Sequence, residues 1–534
     1  MIRFLIICSL FLVYSPYGNT QDNPWNTNEK DFDLFWGQLE RSPGTLLEIL
    51  PKNNTDFYSL RWSGGRTIGT YRVVNHENLQ LRSQARIKQV AQTGIANFET
   101  AALFDEQLYV FLSDKADGQM LLYAQPYDDE MNTYDESILI ASYYNERMGA
   151  KPNFSIKSSE NRAYFAVFWE IPGRKARQDD YGYVIMDAQM NELQKGEYTV
   201  PFDGNMSTIN QHHISNNGDY FISVTEHNTP NDRIFSRSFE NFKAIHIYKI
   251  RNNELNEFSL DLDLKRVDDM EMSSNGNVFT LSGIYGVGRN SPIEGIFILR
   301  YDTQKDSVLF KGFTPFEEGM IDKGWLNRNI SNSRLNNRNR NRNREAYRYK
   351  MRDIFTLDDG TTCGSLEQYF IFERTNYDSR TGLSTSVYYY YYDDIIAFKI
   401  GKDGNFDWQK RIPKSQISTN DGGPFSSYSS FTNGENMYFI FNDNLKNYNE
   451  EGKFSRENNT CYSFNLSRRK NAAAICTVNL EDGNTARETL FTRKELKSIV
   501  VPKMFKLDVI NKKLLLYALM SGKEKFGILN YSKI

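Results

Sequence analysis

The chain has 534 residues, 40% of them hydrophobic, which is enough to fill large cores and excludes wholesale disorder. Lys and Arg total 64 against 67 Asp and Glu, and the resulting formal charge of -3 gives no global electrostatic footprint for nucleic acid or an anionic membrane. Aromatic residues reach 14%, with 33 Tyr and 36 Phe, a bias toward pleated, half-buried strands and an all-β protein.

The first twenty residues form a separate device. Arg3 precedes an apolar run from Phe4 to Tyr14, and Ser15, Gly18, Asn19 and Thr20 follow, the pattern of a secretory signal peptide cleaved before Gln21. The run is shorter than the roughly 20 residues that a membrane-spanning helix needs, and no later apolar stretch is longer. An exported protein without a transmembrane segment is therefore expected, in the periplasm, at the cell surface or outside the cell.

Asp31-Phe-Asp-Leu-Phe-Trp-Gly-Gln-Leu39 reads as a lone strand, and from about Thr45 onward one unit recurs. Each copy has a short strand, a polar turn, an aromatic-rich strand, a variable loop, an apolar strand, a tight turn and a last strand. The aromatic strands begin at Phe57, Leu108, Ala163, Tyr220, Val278, Cys363, Tyr438 and Leu514. Their spacing runs from 51 residues, Phe57 to Leu108, to 85 residues, Val278 to Cys363. Asn216-Asn-Gly218, Asn275-Gly-Asn277, Asp358-Asp-Gly360 and Asn433-Gly434 supply the turns with φ > 0 that hairpins require. This repetition predicts a β-propeller of four-stranded antiparallel blades, eight of them, or seven if the first unit is irregular. The last unit ends after its third strand, so residues 30–42 are expected to supply the fourth and close the ring. Residues 21–534 then form a single domain.

An insertion at about 317–350 interrupts the period. It contains Arg338-Asn-Arg-Asn-Arg-Asn-Arg344 and buries almost nothing apolar, so it reads as a solvated loop, with polyanion docking as the competing role. Farther on, Tyr388-Tyr-Tyr-Tyr-Tyr-Asp-Asp394 heads a third strand. Alternation sets Tyr388, Tyr390 and Tyr392 on one face and Tyr389 and Tyr391 on the other, so that one set packs between blades while the other is exposed. With Asn420 and Asp421 of the nearby Asn420-Asp421-Gly-Gly423 segment, Tyr388, Tyr390 and Tyr392 form the candidate ligand-binding surface for a sugar or peptide. If the protein is an enzyme, the candidate catalytic acids are Asp394 and Asp421, with Asp393 and Asp443 as further acids of the same kind. A working pair would stand about 5–9.5 Å apart.

Asn442-Asp-Asn444, with Asn447, Asn449 and Glu450, is rich in the oxygen ligands calcium prefers but lacks the EF-hand spacing and reads as a polar turn. Three cysteines follow the signal: Cys363, Cys461 and Cys476. Residues 461–466 and 473–480 read as two strands of a hairpin turning on Arg468 and Arg469. That register would oppose Cys461 and Cys476 and let an exported protein join them as a disulfide. His76, His212, His213, His227 and His246 form no ligand spacing, so no metal site is expected.

Tyr349-Lys-Met-Arg-Asp-Ile-Phe355, the Tyr388 to Asp394 run, Ile412-Pro-Lys-Ser-Gln416, Ser418-Thr-Asn-Asp-Gly-Gly423 and Tyr438-Phe-Ile-Phe-Asn-Asp-Asn444 together resemble an uncharacterised family of exported bacterial β-propeller proteins. The resemblance is strongest over residues 349–450. It implies bacterial export and a propeller, and it brings no catalytic residues. Lys402-Asp-Gly-Asn-Phe-Asp-Trp408 looks like one repeat of a quinone-cofactor dehydrogenase, but that family repeats the signature in most blades and here it stands once, so no cofactor is expected. The sequence thus predicts a non-catalytic binding or interaction propeller for a glycan, peptide or cell-envelope partner, nucleic acid not being among them. The alternative is a glycan-active hydrolase or lyase with acids converging at the channel mouth.

Overall fold

The computed structural model describes residues 33–531 apart from 65–68, 92–93, 134–135, 146, 148, 172–177, 204–205, 229–241, 252, 264, 288–292, 322–347, 379–382 and 457–460. The signal peptide expected at residues 1–20 lies outside the described residues.

Eight antiparallel sheets follow one another along the chain. Blade 1 comprises Thr45–Pro51, Phe57–Gly64, Gly69–Glu77 and Gln80–Arg86, and blade 2 Asn97–Phe104, Gln107–Ala116, Gln119–Tyr127 and Ile138–Tyr144. Blade 3 comprises Ser155–Ser158, Tyr164–Ile171, Gln178–Asp187 and Glu192–Asp203, and blade 4 Ser207–Ile214, Tyr220–His227, Phe242–Arg251 and Glu254–Asp261. Blade 5 is Lys265–Asn275, Val278–Val287, Ile293–Asp302 and Ser307–Pro315. Blade 6 is Arg348–Thr356, Thr362–Asp378, Leu383–Ile400 and Phe406–Ile412, and blade 7 is Tyr428–Thr432, Asn436–Asn444, Asn471–Asn479 and Thr485–Thr492. In blade 8 the short pieces Ile499–Val500 and Lys506–Asp508 form the first strand, followed by Lys513–Met520 and Lys523–Asn530.

The fourth strand of blade 8 comes from the other end of the chain. Asp33–Trp36 runs antiparallel to Lys523–Asn530, with Asp33 opposite Asn530 and Trp36 opposite Gly527. Eight sheets closed by this strand make an eight-bladed ring, as the spare N-terminal strand predicts. Turn chemistry supports the hairpins within blades: Gly218 and Gly360 take φ of 84° and 80°, a region that costs an L side chain.

The core is a ring of eight layers, one between each pair of neighbouring blades. Strand alternation creates it. In blade 8 Leu514 and Leu516 pack toward blade 7, while Leu515 and Tyr517 pack toward blade 1. A strand buried on both faces reads as an unbroken apolar run, which is why the middle strands stand out in the sequence. Aromatic residues bridge the layers, as in the stacked pairs Phe104–Phe165 and Phe221–Phe279, with ring centroids 4.5 and 4.2 Å apart.

Two expectations need correction. The insertion read at 317–350 is narrower at both flanks: Met320 and Ile321 pack against the layer between blades 5 and 6, and Arg348–Thr356 is already a blade 6 strand. Its Asn/Arg-rich centre lies outside the described residues. The disulfide is not formed, since Cys461 and Cys476 are both free thiols. Cys476 lies opposite Phe439 and Arg487, and residues 461–466 are not a strand. Asparagine side chains take the place of a strand partner there. The Asn447 amide both accepts from the Tyr462 N–H and donates to its carbonyl, at 2.7 and 3.0 Å, and Asn444 Nδ2 donates to the Ser463 carbonyl at 2.8 Å. The asparagines of 442–449 are therefore backbone clamps, and Asp443 is consumed by Arg487, Tyr448 and Asn447.

Candidate functional site

The first strands of the blades line a central channel of about 1260 Å³. This exceeds the roughly 300–1,000 Å³ of ordinary small-molecule pockets, so the channel suits an extended ligand. Because neighbouring strands run antiparallel, the face where the first strands begin also receives the second-to-third connections and the blade-to-blade connections. The segments 413–427, 445–456 and 461–470 gather on this face. So does a ribbon formed where Tyr369–Asp378 continues to pair with Leu383–Tyr392 beyond the body of blade 6. Gln416–Thr419 adds a third strand to it through Tyr389–Tyr392.

The ribbon brings the candidate binding residues together. Tyr388, Tyr390 and Tyr392 share one face, but exposure is graded along the strand rather than set by face: Tyr388 is 39% exposed and Tyr392 4%. The Asn420 side chain accepts from the Tyr388 N–H at 2.8 Å and its own N–H donates to the Tyr388 carbonyl at 2.9 Å, so Asn420 clamps the ribbon edge. Asp421 accepts from the Gly423 N–H at 2.9 Å, and Asp394 accepts from the Lys414 N–H at 3.0 Å. Neither acid lines the channel. Tyr392 reaches a channel-lining group, its hydroxyl accepting from Lys503 Nζ at 2.8 Å.

Sequence reading misses the ionic cluster behind Tyr392. Glu367, fully buried, accepts from Lys414 Nζ at 2.8 Å, from Arg352 Nε at 2.8 Å and from Ser427 Oγ at 2.7 Å. Burial by itself would raise this carboxyl, and the charges of Lys414 and Arg352 outweigh it, holding Glu367 below the ordinary carboxylate range. Lys414 spends its remaining donors on the Tyr392 carbonyl and Gln416 Oε1, at 3.0 and 3.2 Å. Asp393 is buried beside this cluster, and desolvation pushes its pKa well up.

On the neighbouring blade 5, Glu271 of the first strand accepts from Gln211 Nε2 at 3.1 Å and lines both the main channel and an adjoining cavity of about 440 Å³. Burial, opposed by the Gln211 hydrogen bond and reinforced by Asp269 and Asp353, pushes its pKa up to about 7. Because this folded-state value lies above the unfolded one, the protonated carboxyl's contribution to stability is present at low pH and lost as pH rises through about 7. The melting temperature of the wild type is therefore expected to fall relative to that of Glu271→Gln between pH 5 and 8. Parallel profiles would refute the assignment.

His212 and His213 are packing groups, whereas His246 bridges Glu226 and Glu257 at 3.1 and 2.6 Å. His212 Nδ1 pairs with the Tyr220 hydroxyl at 2.7 Å and His213 Nε2 with Ser274 Oγ at 2.8 Å, and burial pushes their pKa values down to about 3 and about 4. Among the described residues, no group of three or more His, Cys, Asp and Glu side chains is arranged to hold a metal ion. Among the same residues, no helix is long and apolar enough to cross a membrane.

Eight four-stranded antiparallel blades around one channel define an eight-bladed β-propeller. No protein-family model matches the chain, and no curated protein matches it. In structure it is similar to Chaetomium thermophilum Sqt1, with 9% identity, 90% of this chain and 95% of that chain covered, and a TM-score of 0.37. It is similar to a eukaryotic initiation factor at 10% identity, covering 83% of this chain and 78% of that one, TM-score 0.35. Similarity to the polysaccharide lyase Uly1 is 11% in identity over 95% of this chain and 94% of that one, TM-score 0.33. Similarities at this level say nothing about activity, and the fold rests on the eight sheets themselves.

Proposed function

We propose that the protein is an exported bacterial propeller, of the kind its sequence resembles, that binds a glycan, a peptide or a cell-envelope partner over the channel face carrying the tyrosine ribbon. The observation that carries this reading is how the acids on that face are used. Asp394 and Asp421 accept backbone N–H groups away from the channel, and Glu367 is saturated by Lys414, Arg352 and Ser427. Carboxylates spent in this way hold structure and leave the rings and channel wall to make contacts.

A second reading, a glycan-active hydrolase or lyase, draws on Glu271. A carboxyl pushed up to about 7 in a channel wall is poised near neutral pH to give or take a proton. Incubating the protein with a glycan array, and assaying both retention and the release of new chain ends, separates the two. Retention without release is the expected result. Turnover that disappears in Glu271→Gln would establish the enzyme instead.

A further inference from the structure

Three cations meet between blades 6, 7 and 8, with Asp353 and Asp393 buried alongside Arg352 and Lys414 and Asp421 acting on Lys503 from the rim. The cations are Arg352, Lys414 and Lys503, and Glu367 pairs with the first two of them. Lys414 and Arg352 take both oxygens of Glu367. Lys503 forms no ion pair among the described residues. Its Nζ donates to neutral acceptors, the Tyr392 hydroxyl at 2.8 Å, the Gly423 carbonyl at 2.9 Å and, more weakly, the Gly422 carbonyl at 3.4 Å, and sits 4.1 Å from the centroid of the Tyr392 ring. Arg352 binds Glu367 through Nε and one terminal nitrogen, and its other terminal nitrogen has no partner among the described residues. Arg352, Ser427 and Lys503 all line the channel. A cation against a partly desolvated wall, held by neutral groups, is stabilised by an anion brought from outside.

We propose that Arg352 and Lys503, backed by Tyr392, form a subsite for the carboxylate or sulfate group of an acidic oligosaccharide; this rests on the binding reading above and names its ligand class. A saccharide fits better than a peptide because rings lead to the subsite. Tyr390 and the 39%-exposed Tyr388 follow the buried Tyr392 along one face of the ribbon, and exposed rings of this kind are ones on which sugars stack. Ser427, Ser429 and Ser430 add hydroxyls to the adjoining channel wall.

The test is titration calorimetry on the full chain with four probes: an oligogalacturonate, a sulfated carrageenan oligosaccharide, neutral cellohexaose and poly-glutamate. One acidic saccharide is expected to bind at least about tenfold more tightly than cellohexaose, and to weaken with salt as a charge contact must. Lys503→Gln should remove that advantage without altering the melting temperature much, and Lys503→Arg should restore part of it. Burial holds Lys503 down at about 8, with Glu367 and Asp421 opposing and Arg352 and Lys414 assisting. Binding of the anion should therefore weaken as pH rises through 8. Equal affinity for neutral and acidic saccharides would overturn this subsite and leave the binding reading standing. No binding by any probe would count against both. Tighter binding of poly-glutamate, or full acidic-saccharide affinity in Lys503→Gln, would overturn the saccharide assignment or the residue assignment respectively.

Discussion

Removing residues 33–41 should lower the melting temperature of the whole molecule, not of one blade, because this segment completes blade 8 and so joins the two ends of the ring. Leu34 is buried in the layer between blades 7 and 8, Trp36 meets Phe491 edge to face at 5.5 Å, and Gly37 N–H bonds to the Phe526 carbonyl at 2.8 Å. The seam on the other side of blade 8 is locked by an ion pair. Arg61 of blade 1 donates through both terminal nitrogens to the two oxygens of Glu524, each at 2.7 Å, and both side chains are buried. Tyr517 adds a hydroxyl donor to Glu524 at 2.8 Å. Glu524→Ala would strand the Arg61 guanidinium without a counter-ion, a loss of about 3–5 kcal/mol for a buried pair broken on one side. Thermal unfolding of both variants checks this. A truncated protein with an unchanged, single transition would mean that blade 8 does not hold the ring together.

The ring was legible because its signals are local and repeated. An apolar strand that buries both faces and a fixed strand order recur eight times, Asn-Gly or Asp-Gly turns mark several of the units, and the missing fourth strand of the last unit points to a spare one at the N-terminus. Cys461 and Cys476 show where local reading fails. The residues around Cys461 alternate like a strand, yet Asn444 and Asn447 satisfy their backbone groups, and no alternation rule anticipates that competition. The ionic cluster was illegible for another reason. Arg352 and Glu367 come from two strands of blade 6, Lys414 and Ser427 from the connection that follows, and Lys503 from the break between the two pieces of the first strand of blade 8, so their meeting is a product of blade packing. A sequence clue did exist. Glu367 is a charge inside an otherwise buried strand, and such a charge needs a partner.

That partner requirement makes Glu367→Ala the second large effect. Its side chain and that of Lys414 are fully buried, and both Lys414 and Arg352 would lose their common acceptor. Removing one member of such a set costs about 3–5 kcal/mol, because the remaining charges stay desolvated without compensation. The pH dependence has a definite sign. Since the folded-state pKa of Glu367 is depressed, its contribution is present above the unfolded carboxylate value and lost as pH falls through the folded one. The urea midpoint of the wild type should therefore approach that of Glu367→Ala in acid. The double variant Glu367→Met with Lys414→Met removes a carboxylate and an ammonium together and leaves Arg352, which is partly exposed to the channel, to be solvated. It is expected to recover much of the loss, with a coupling energy of about 0.5–3 kcal/mol in the mutant cycle. Strict additivity of the two single variants would mean that the pair does not act as a unit. Recovery in the double variant, with binding of the acidic saccharide reduced, would show that the cluster holds its charge at a cost in stability that a simpler core would avoid.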